Sequence, residues 1–309
     1  MKYFLLRFLC QFIPVKKYRK KFKRKFKNIC NSKPFFEAVL ASVDTNKWKE
    51  FKIIESNLGE AVIFALTYKN WWNGEMVVLT KKYHLDVFKM LAPEVPVIFC
   101  KEKSSFWETS EYKKHIFSFV LSNHDLGQMN LTQKHLFENW QNYLGKNLQT
   151  QKYSAPVVSE EARKSALQKL NKMGLSLDNL IFVSDEALSL SPLPEEFWTS
   201  VTNAIKDKKY QIFINKSKGD NTLTIEETYF VATQCKMIIA LRSGLIDLLC
   251  MINKPLRIIY TTNPAITDIQ PMYDLTKFPF CTKDVIEYNT NTDSVENIKN
   301  QIIKEIKSL

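Results

Sequence analysis

Glycine is scarce in this chain, with 7 in 309 residues, and proline contributes only 11. Collagen-like, linker-rich and low-complexity classes are therefore excluded. The four histidines are dispersed, and none of the six cysteines (Cys10, Cys30, Cys100, Cys235, Cys250 and Cys281) forms a CxxC pair or joins a histidine at zinc spacing. No metal site is expected, and the thiols read as buried, reduced groups of a cytosolic protein. Long apolar runs are also missing. The opening MKYFLLRFLCQFIPV is interrupted by Arg7 and Gln11. It falls short of the roughly 20 apolar residues that a spanning helix needs, and it lacks the small-residue cleavage site of a secretory signal.

Acidic residues are absent from one segment. KKYRKKFKRKFK, Lys16 to Lys27, holds nine basic residues and no acid; the chain carries +12 in all, so the remainder has a net charge of only +3. Apolar and aromatic side chains beside a polybasic run suit an anchor on an anionic membrane surface. Residues 1–30 are expected to form a basic helical arm, with residues 1–27 on the membrane and the protein cytoplasmic, peripheral at the inner face of the cell membrane. The blander reading is a solvated helix. Nucleic acid is not an expected partner, because the rest of the chain shows no basic stripe or recognition motif.

After the arm the chain alternates between helix and strand patterns. KPFFEAVLASV reads as a short helix, FKIIES as a buried strand and AVIFALTYKNWW as a helix. EMVVLTK, HLDVFKMLA, VPVIFC and HIFSFVL continue the alternation as strand, helix, strand and strand. The polar stretch LGKNLQTQKYSAPVVSEE marks a boundary. The pattern then restarts: helix EEARKSALQKLNKMG, strand NLIFVSDE, helix PEEFWTSVTNAIKDK, strand YQIFINK, helix TIEETYFVATQC with Thr224 as N-cap, strand MIIALR, helix SGLIDLLCMIN and strand LRIIY. DSVENIKNQIIKEIKSL is an amphipathic final helix. Fully apolar strands separated by helices require parallel sheets covered on both faces. The expected fold class is α/β, with two Rossmann-like domains at residues 31–150 and 151–309.

Open parallel sheets bind ligands at the carboxyl ends of their strands. Two such ends carry a glycine turn: Asn57-Leu58-Gly59-Glu60, and Arg242-Ser243-Gly244 after MIIAL. Glycine admits a close backbone approach, the following helix offers free N–H groups, and arginine grips phosphate bidentately. The second turn thus outlines a phosphate site, although a tight strand–helix turn with a solvated arginine has the same sequence. Glu60 is either a general base or a first-turn glutamate on the helix dipole. His124-Asp125, after HIFSFVL, is the second acid/base candidate. Ser184 ends the strand NLIFVSDE, and Lys216 and Lys218 follow YQIFIN as flanking cations. Glu226 and Glu227 open the helix before the arginine turn, where helix-start pairing on the dipole is the alternative to ligand binding. Trp71 and Trp72 fit hydrophobic packing better than sugar stacking.

The layout as a whole resembles the GT-B glycosyltransferases, and most closely the heptosyltransferase-like branch, over roughly residues 50–265. NLGEAVIFALTYKNWW is similar to the family's Gly-Asp opening, with Glu60 at the family's acid. MIIALRSGLIDLLCMINKPLRIIY is similar to its strand, Asp-Thr-Gly-Leu, helix, Lys-Pro, strand pattern. Arg242-Ser243 stands in place of Asp-Thr, and Ser191-Pro192-Leu193-Pro194 in place of the family's Lys-x-Trp-Pro, so a donor-contacting lysine is lost and an arginine is gained elsewhere. The resemblance implies two domains facing each other across a cleft. The first would hold the acceptor at Asn57 and Gly59, with Glu60, Asp125 or His124 catalytic. The second would hold a nucleotide-sugar through Arg242, Ser243, Gly244, Glu226, Glu227, Ser184 and Lys216, with Glu226 or Glu227 on the ribose. It further implies a metal-independent transferase with no cofactor beyond its nucleotide-sugar substrate, acting on a lipooligosaccharide, capsule or other lipid-linked glycan. The alternatives are a nucleotide-sugar epimerase of the same fold and a non-catalytic lipid- or nucleic-acid-binding protein built around the arm.

Overall fold

The computed structural model describes residues 50–54, 57–70, 72–80, 82–99, 119–121, 135–216, 222–263 and 268–309. The basic arm, the expected helix KPFFEAVLASV, Trp71, His124, Asp125 and Lys218 lie outside the described residues. No described helix is long and apolar enough to cross a membrane. The chain is α/β with parallel sheets, and it separates into two compact units that interleave in sequence.

The first unit includes residues 50–54, 72–80, 82–85, 94–99 and 119–121. Its strands are β1 (Glu50–Ile54), β2 (Met76–Thr80), β3 (Val97–Phe99) and β4 (Phe119–Leu121), in the order β3-β2-β1-β4, all parallel. Strands are present within each of the segments FKIIES, EMVVLTK, VPVIFC and HIFSFVL, β1 beginning one residue earlier at Glu50.

The second unit includes the remaining described residues. It takes in α1 (Leu58–Thr67) and most of α2 (Leu85–Leu91), so these two helices group with the C-terminal sheet. Helix α1 is buried from Gly59 to Thr67; a helix that is apolar all round belongs in a core. Its Phe64 meets Phe88 of α2 and Trp140 of α3 (Leu136–Leu144) at ring centroid distances of 6.0 and 6.3 Å.

The sheet of this unit contains β5 (Leu180–Ser184), β6 (Gln211–Ile214), β7 (Met237–Leu241), β8 (Leu256–Tyr260) and β9 (Val285–Asn289), all parallel, in the order β6-β5-β7-β8-β9. The central β5, β7 and β8 are buried at every position; β7 reads as an unbroken apolar run and β5 as one up to Ser184, while β8 admits Arg257, paired with Asp284 and Glu305. Helix α4 (Glu160–Lys172) precedes β5; α5 (Glu195–Asp207), α6 (Ile225–Gln234), α7 (Ile246–Leu249) and α8 (Gln270–Tyr273) run between the strands, and α9 (Val295–Ser308) follows β9. Phe197, Val201, Ala204 and Ile205 of α5 and Ile298, Ile302 and Ile306 of α9 pack with Ile181, Val183, Ile239 and Ile259 in one core cluster. The helical spacing of those residues puts them on one face of each helix.

Local signals act as expected at several ends. Thr224 caps α6 and closes a capping box with Glu227. Gly174, just past α4, takes a φ of 70°, a conformation glycine adopts without strain. Four features differ from expectation. Helices α3 and α8 and strand β9 lie outside the expected pattern. The helix expected over SGLIDLLCMIN is reduced to the four residues of α7, because Asn253-Lys254-Pro255 must already lead into β8 and proline cannot continue a helix.

Candidate functional site

The sheet order of the second unit reverses between β5 and β7, since β6 lies on one side of β5 and β7, β8 and β9 on the other. A crevice forms at such a reversal, because the loops leaving the two strands diverge to opposite faces. A cavity of about 370 Å³ lies there, lined by Ser184, Asp185, Glu186, Ala187, Leu188, Leu190 and Pro192 after β5, Asn215 after β6, and Leu241 at the end of β7. One wall is apolar. The lining also carries two carboxylates, and Lys216 holds both: its Nζ is 2.9 Å from each Asp185 oxygen and 3.1 Å from Glu186 Oε1. Burial works to lower the Lys216 ammonium, and the two carboxylates outweigh it, so the group stays above its ordinary value. Ser184, also in the lining, is 3% exposed.

Beyond Leu241 the chain enters a buried polar cluster. Arg242 is 4% exposed and Asp247, on α7, 2%. The two form an ion pair: Arg242 Nη2 donates to Asp247 Oδ1, and Nη1 lies 3.3 Å from Oδ2. Nη1 also donates to the Ser243 carbonyl at 2.6 Å and Nε to the Tyr273 carbonyl at 3.2 Å. The Tyr273 ring sits 5.6 Å from the guanidinium carbon. Tyr260 places its hydroxyl 2.8 Å from the Tyr273 carbonyl and against the Glu287 carboxyl, which burial raises to about 7.

The N-terminus of α1 closes this cluster. A Cβ at Gly59 would lie 2.1 Å from Asp247 Oδ2, and one at Gly244 would lie 2.6 Å from the Gly59 backbone nitrogen. The two glycine turns singled out in the sequence therefore touch each other. Asn57 caps α1 through its backbone only and is exposed. Glu60, three residues on, is 5% exposed. Burial raises its carboxyl to about 7; its own N–H pulls it down, Asp247 raises it, and Arg242 and the Asn57 N–H lower it. A carboxyl near 7 can accept a proton at neutral pH.

The geometry gives several of the expected site residues partners within the protein. Arg242 is turned inward and occupied by Asp247, Ser243 and Tyr273, instead of facing a ligand. A buried guanidinium must be paired, and Asp247 is its partner. The four-residue α7 offers no extended dipole behind Ser243 and Gly244. Glu226 accepts the Ser159 N–H at 2.7 Å and Lys89 at 3.0 Å, while Glu227 accepts the Thr224 N–H, Ser165 and Lys169. Burial works to raise both carboxyls, and these partners outweigh it and hold them low. Both carboxylates thus join α6 to α4, and Glu226 also reaches α2, instead of turning to a ribose. Ser184 lines the cavity, and Lys216 bonds to its Asp185 and Glu186. Asp185, Glu186, Asp247, Tyr260 and Tyr273 were missed. Asp247 had a signal, a lone carboxylate inside GLIDLLCMI, since an acid among apolar residues needs a nearby cation.

No family model matches the sequence, and no curated protein sequence matches it. Solved structures do. A glycosyl transferase family 9 protein from Veillonella parvula superposes with a TM-score of 0.55 at 10% identity, covering 84% of this chain and 97% of that one. The ADP-heptose LPS heptosyltransferase II of E. coli superposes with a TM-score of 0.55 at 12% identity, covering 84% of this chain and 98% of that one. At these identities the likeness is one of fold: the chain has an α/β fold similar to that of glycosyltransferases.

Proposed function

We propose that this chain is a glycosyltransferase of GT-B type that takes a nucleotide-sugar at the carboxyl ends of β5, β6 and β7 and passes the sugar to a surface-glycan, capsule or lipid-linked acceptor. The observation that carries the reading is the cavity at the strand-order reversal, in a fold shared with sugar-transferring enzymes. Residues 151–309 are the donor domain and residues 31–150 the acceptor domain. Residues 1–27 hold the protein at the inner face of the cell membrane. Transfer needs no metal in this proposal: Lys216 moves from Asp185 and Glu186 to the leaving diphosphate, neutralising the charge that develops there. Glu60 takes the proton of the acceptor hydroxyl as that oxygen attacks the anomeric carbon. The apolar wall of Ala187, Leu190, Pro192 and Leu241 accommodates the flat face of a base.

The test is calorimetric titration of wild type and Lys216→Met with nucleoside diphosphates and with the matching nucleosides. Wild type should bind a diphosphate, and Lys216→Met should weaken it roughly tenfold or more, the worth of a charge-assisted hydrogen bond. The nucleoside should bind both proteins alike. No nucleotide binding by wild type would overturn the reading.

A further inference from the structure

Sugar transfer through Lys216 and Glu60 leaves Arg242 and Asp247 without a part, although they are among the most deeply buried charges in the described chain. Their location suggests one. Asp247 Oδ2 occupies the space a side chain at residue 59 would need, and Gly244 lies against the Gly59 nitrogen. The pair therefore abuts the first turn of α1, one residue from Glu60. Its two charges act on Glu60 in opposite senses.

We propose that Asp247, clamped by Arg242, is a positioning residue for Glu60: it fixes the first turn of α1 and sets the charge environment in which the Glu60 carboxylate takes up a proton. The proposal rests on the reading of Glu60 as the base. Among the described residues, Glu60 is faced by Asp247 on α7, Arg242 at the end of β7 and the Tyr273 phenol on α8, with the N–H groups of Asn57 and Glu60 on its own helix. Burial, then Glu60, pushes the Tyr273 phenol up to about 12, so it remains neutral and cannot supply the charge that Asp247 supplies. Lone Arg242 would hold Glu60 ionised and weakly basic. Lone Asp247 would hold it protonated at neutral pH and unable to accept. The pair keeps the carboxyl between these limits.

The experiment compares Asp247→Asn with Arg242→Met. In wild type, Asp247→Asn, Arg242→Met and the double variant Arg242→Met/Asp247→Leu, two quantities are followed against pH: the acidic limb of kcat/KM for sugar transfer, and the ¹³C shift of the Glu60 carboxyl, assigned by its loss in Glu60→Gln. Asp247→Asn should move both to lower pH and Arg242→Met to higher pH, each by about one unit, the low end for a close charge. A merely structural role would lower activity without moving the two in opposite directions. Each single variant strands a buried charge and can fail to fold; the double variant removes both charges and should titrate between the two directions. Shifts in the same direction, no shift, or a double variant beyond either single would overturn the proposal. If Glu60→Gln keeps wild-type turnover, the base assignment falls, and the carboxyl titration still decides whether the pair acts on Glu60.

Discussion

Gly59→Ala sets two effects of opposite sign against each other. Residue 59 lies in the first turn of α1, where alanine gains at most about 1 kcal/mol over glycine in helix propensity. Against that, the new Cβ would lie 2.1 Å from Asp247 Oδ2 and 3.1 Å from its Cγ. A methyl carbon has no rotamer that relieves such an overlap, so Asp247 must move, and its bonds to Arg242 go with it. Breaking a buried ion pair costs about 3–5 kcal/mol. The net loss is therefore roughly 2–4 kcal/mol, a fall in Tm on the order of 10 °C for a chain of this size. Thermal and urea unfolding followed by far-UV circular dichroism measure it. The same substitution made in an Asp247→Ala background completes a double-mutant cycle. There the next contact is Gly244 Cα at 3.4 Å, an ordinary approach, so Gly59→Ala should be neutral or slightly stabilising. An equal loss in both backgrounds would refute the reasoning, as would no loss in the wild type.

Gly244→Ala should behave differently, because its Cβ would meet the Gly59 backbone nitrogen at 2.6 Å. A loss of about 1–3 kcal/mol from overpacking is expected, and the Asp247→Ala background should not relieve it; relief would mean that the contact runs through Asp247. His135 caps α3, its Nδ1 accepting from the Phe137 N–H and its Nε2 donating to the Asp274 carbonyl at 2.9 Å. Burial pushes its pKa from 6.5 down to about 4, so the unfolded chain binds more protons between those values and stability falls as pH drops from about 6.5 to about 4. Glu60 and Glu287, raised to about 7, act in the opposite sense: their contribution is present below about 4.5 and is lost as pH rises through 7. The difference in Tm between wild type and His135→Gln should isolate the histidine, widening in favour of the variant from pH 7 to pH 4.5; a constant difference would mean that His135 does not titrate this way.

Much of the second unit's sheet was readable because its central strands are buried on both faces, and burial on both faces leaves no polar position to interrupt a run such as LIFV or MIIAL. Helix α5 was readable for the complementary reason: one face meets the core, so Phe197, Val201 and Ile205 repeat at helical spacing. Strand β9 escaped because it is the sheet edge. Its first three residues are only partly covered or exposed, with Glu287 among them, and a short mixed stretch carries neither period. Helix α3 escaped because a histidine fills its N-cap, where serine, threonine, aspartate or asparagine is the usual signal.

The site was half legible for a reason that concerns charge. A rare glycine beside an arginine at a strand end marks a place where backbones come close and a cation is needed. At Gly59 and Gly244 the two turns meet each other, and Arg242 meets Asp247. What sequence order cannot show is which body arrives. A diphosphate and the first turn of another helix demand the same small residue, and a phosphate and a buried aspartate demand the same guanidinium. The carboxylate inside GLIDLLCMI decides between them, because an aspartate among apolar neighbours is stable only with a cation beside it, and Arg242 stands five residues before it. With Arg242 held by Asp247, the charge for a phosphate falls, in the proposed donor reading, to another residue. Lys216 is proposed for that role because its side chain is 45% exposed, it is held by two cavity carboxylates, and little must be broken to release it, since exposed ion pairs are weak.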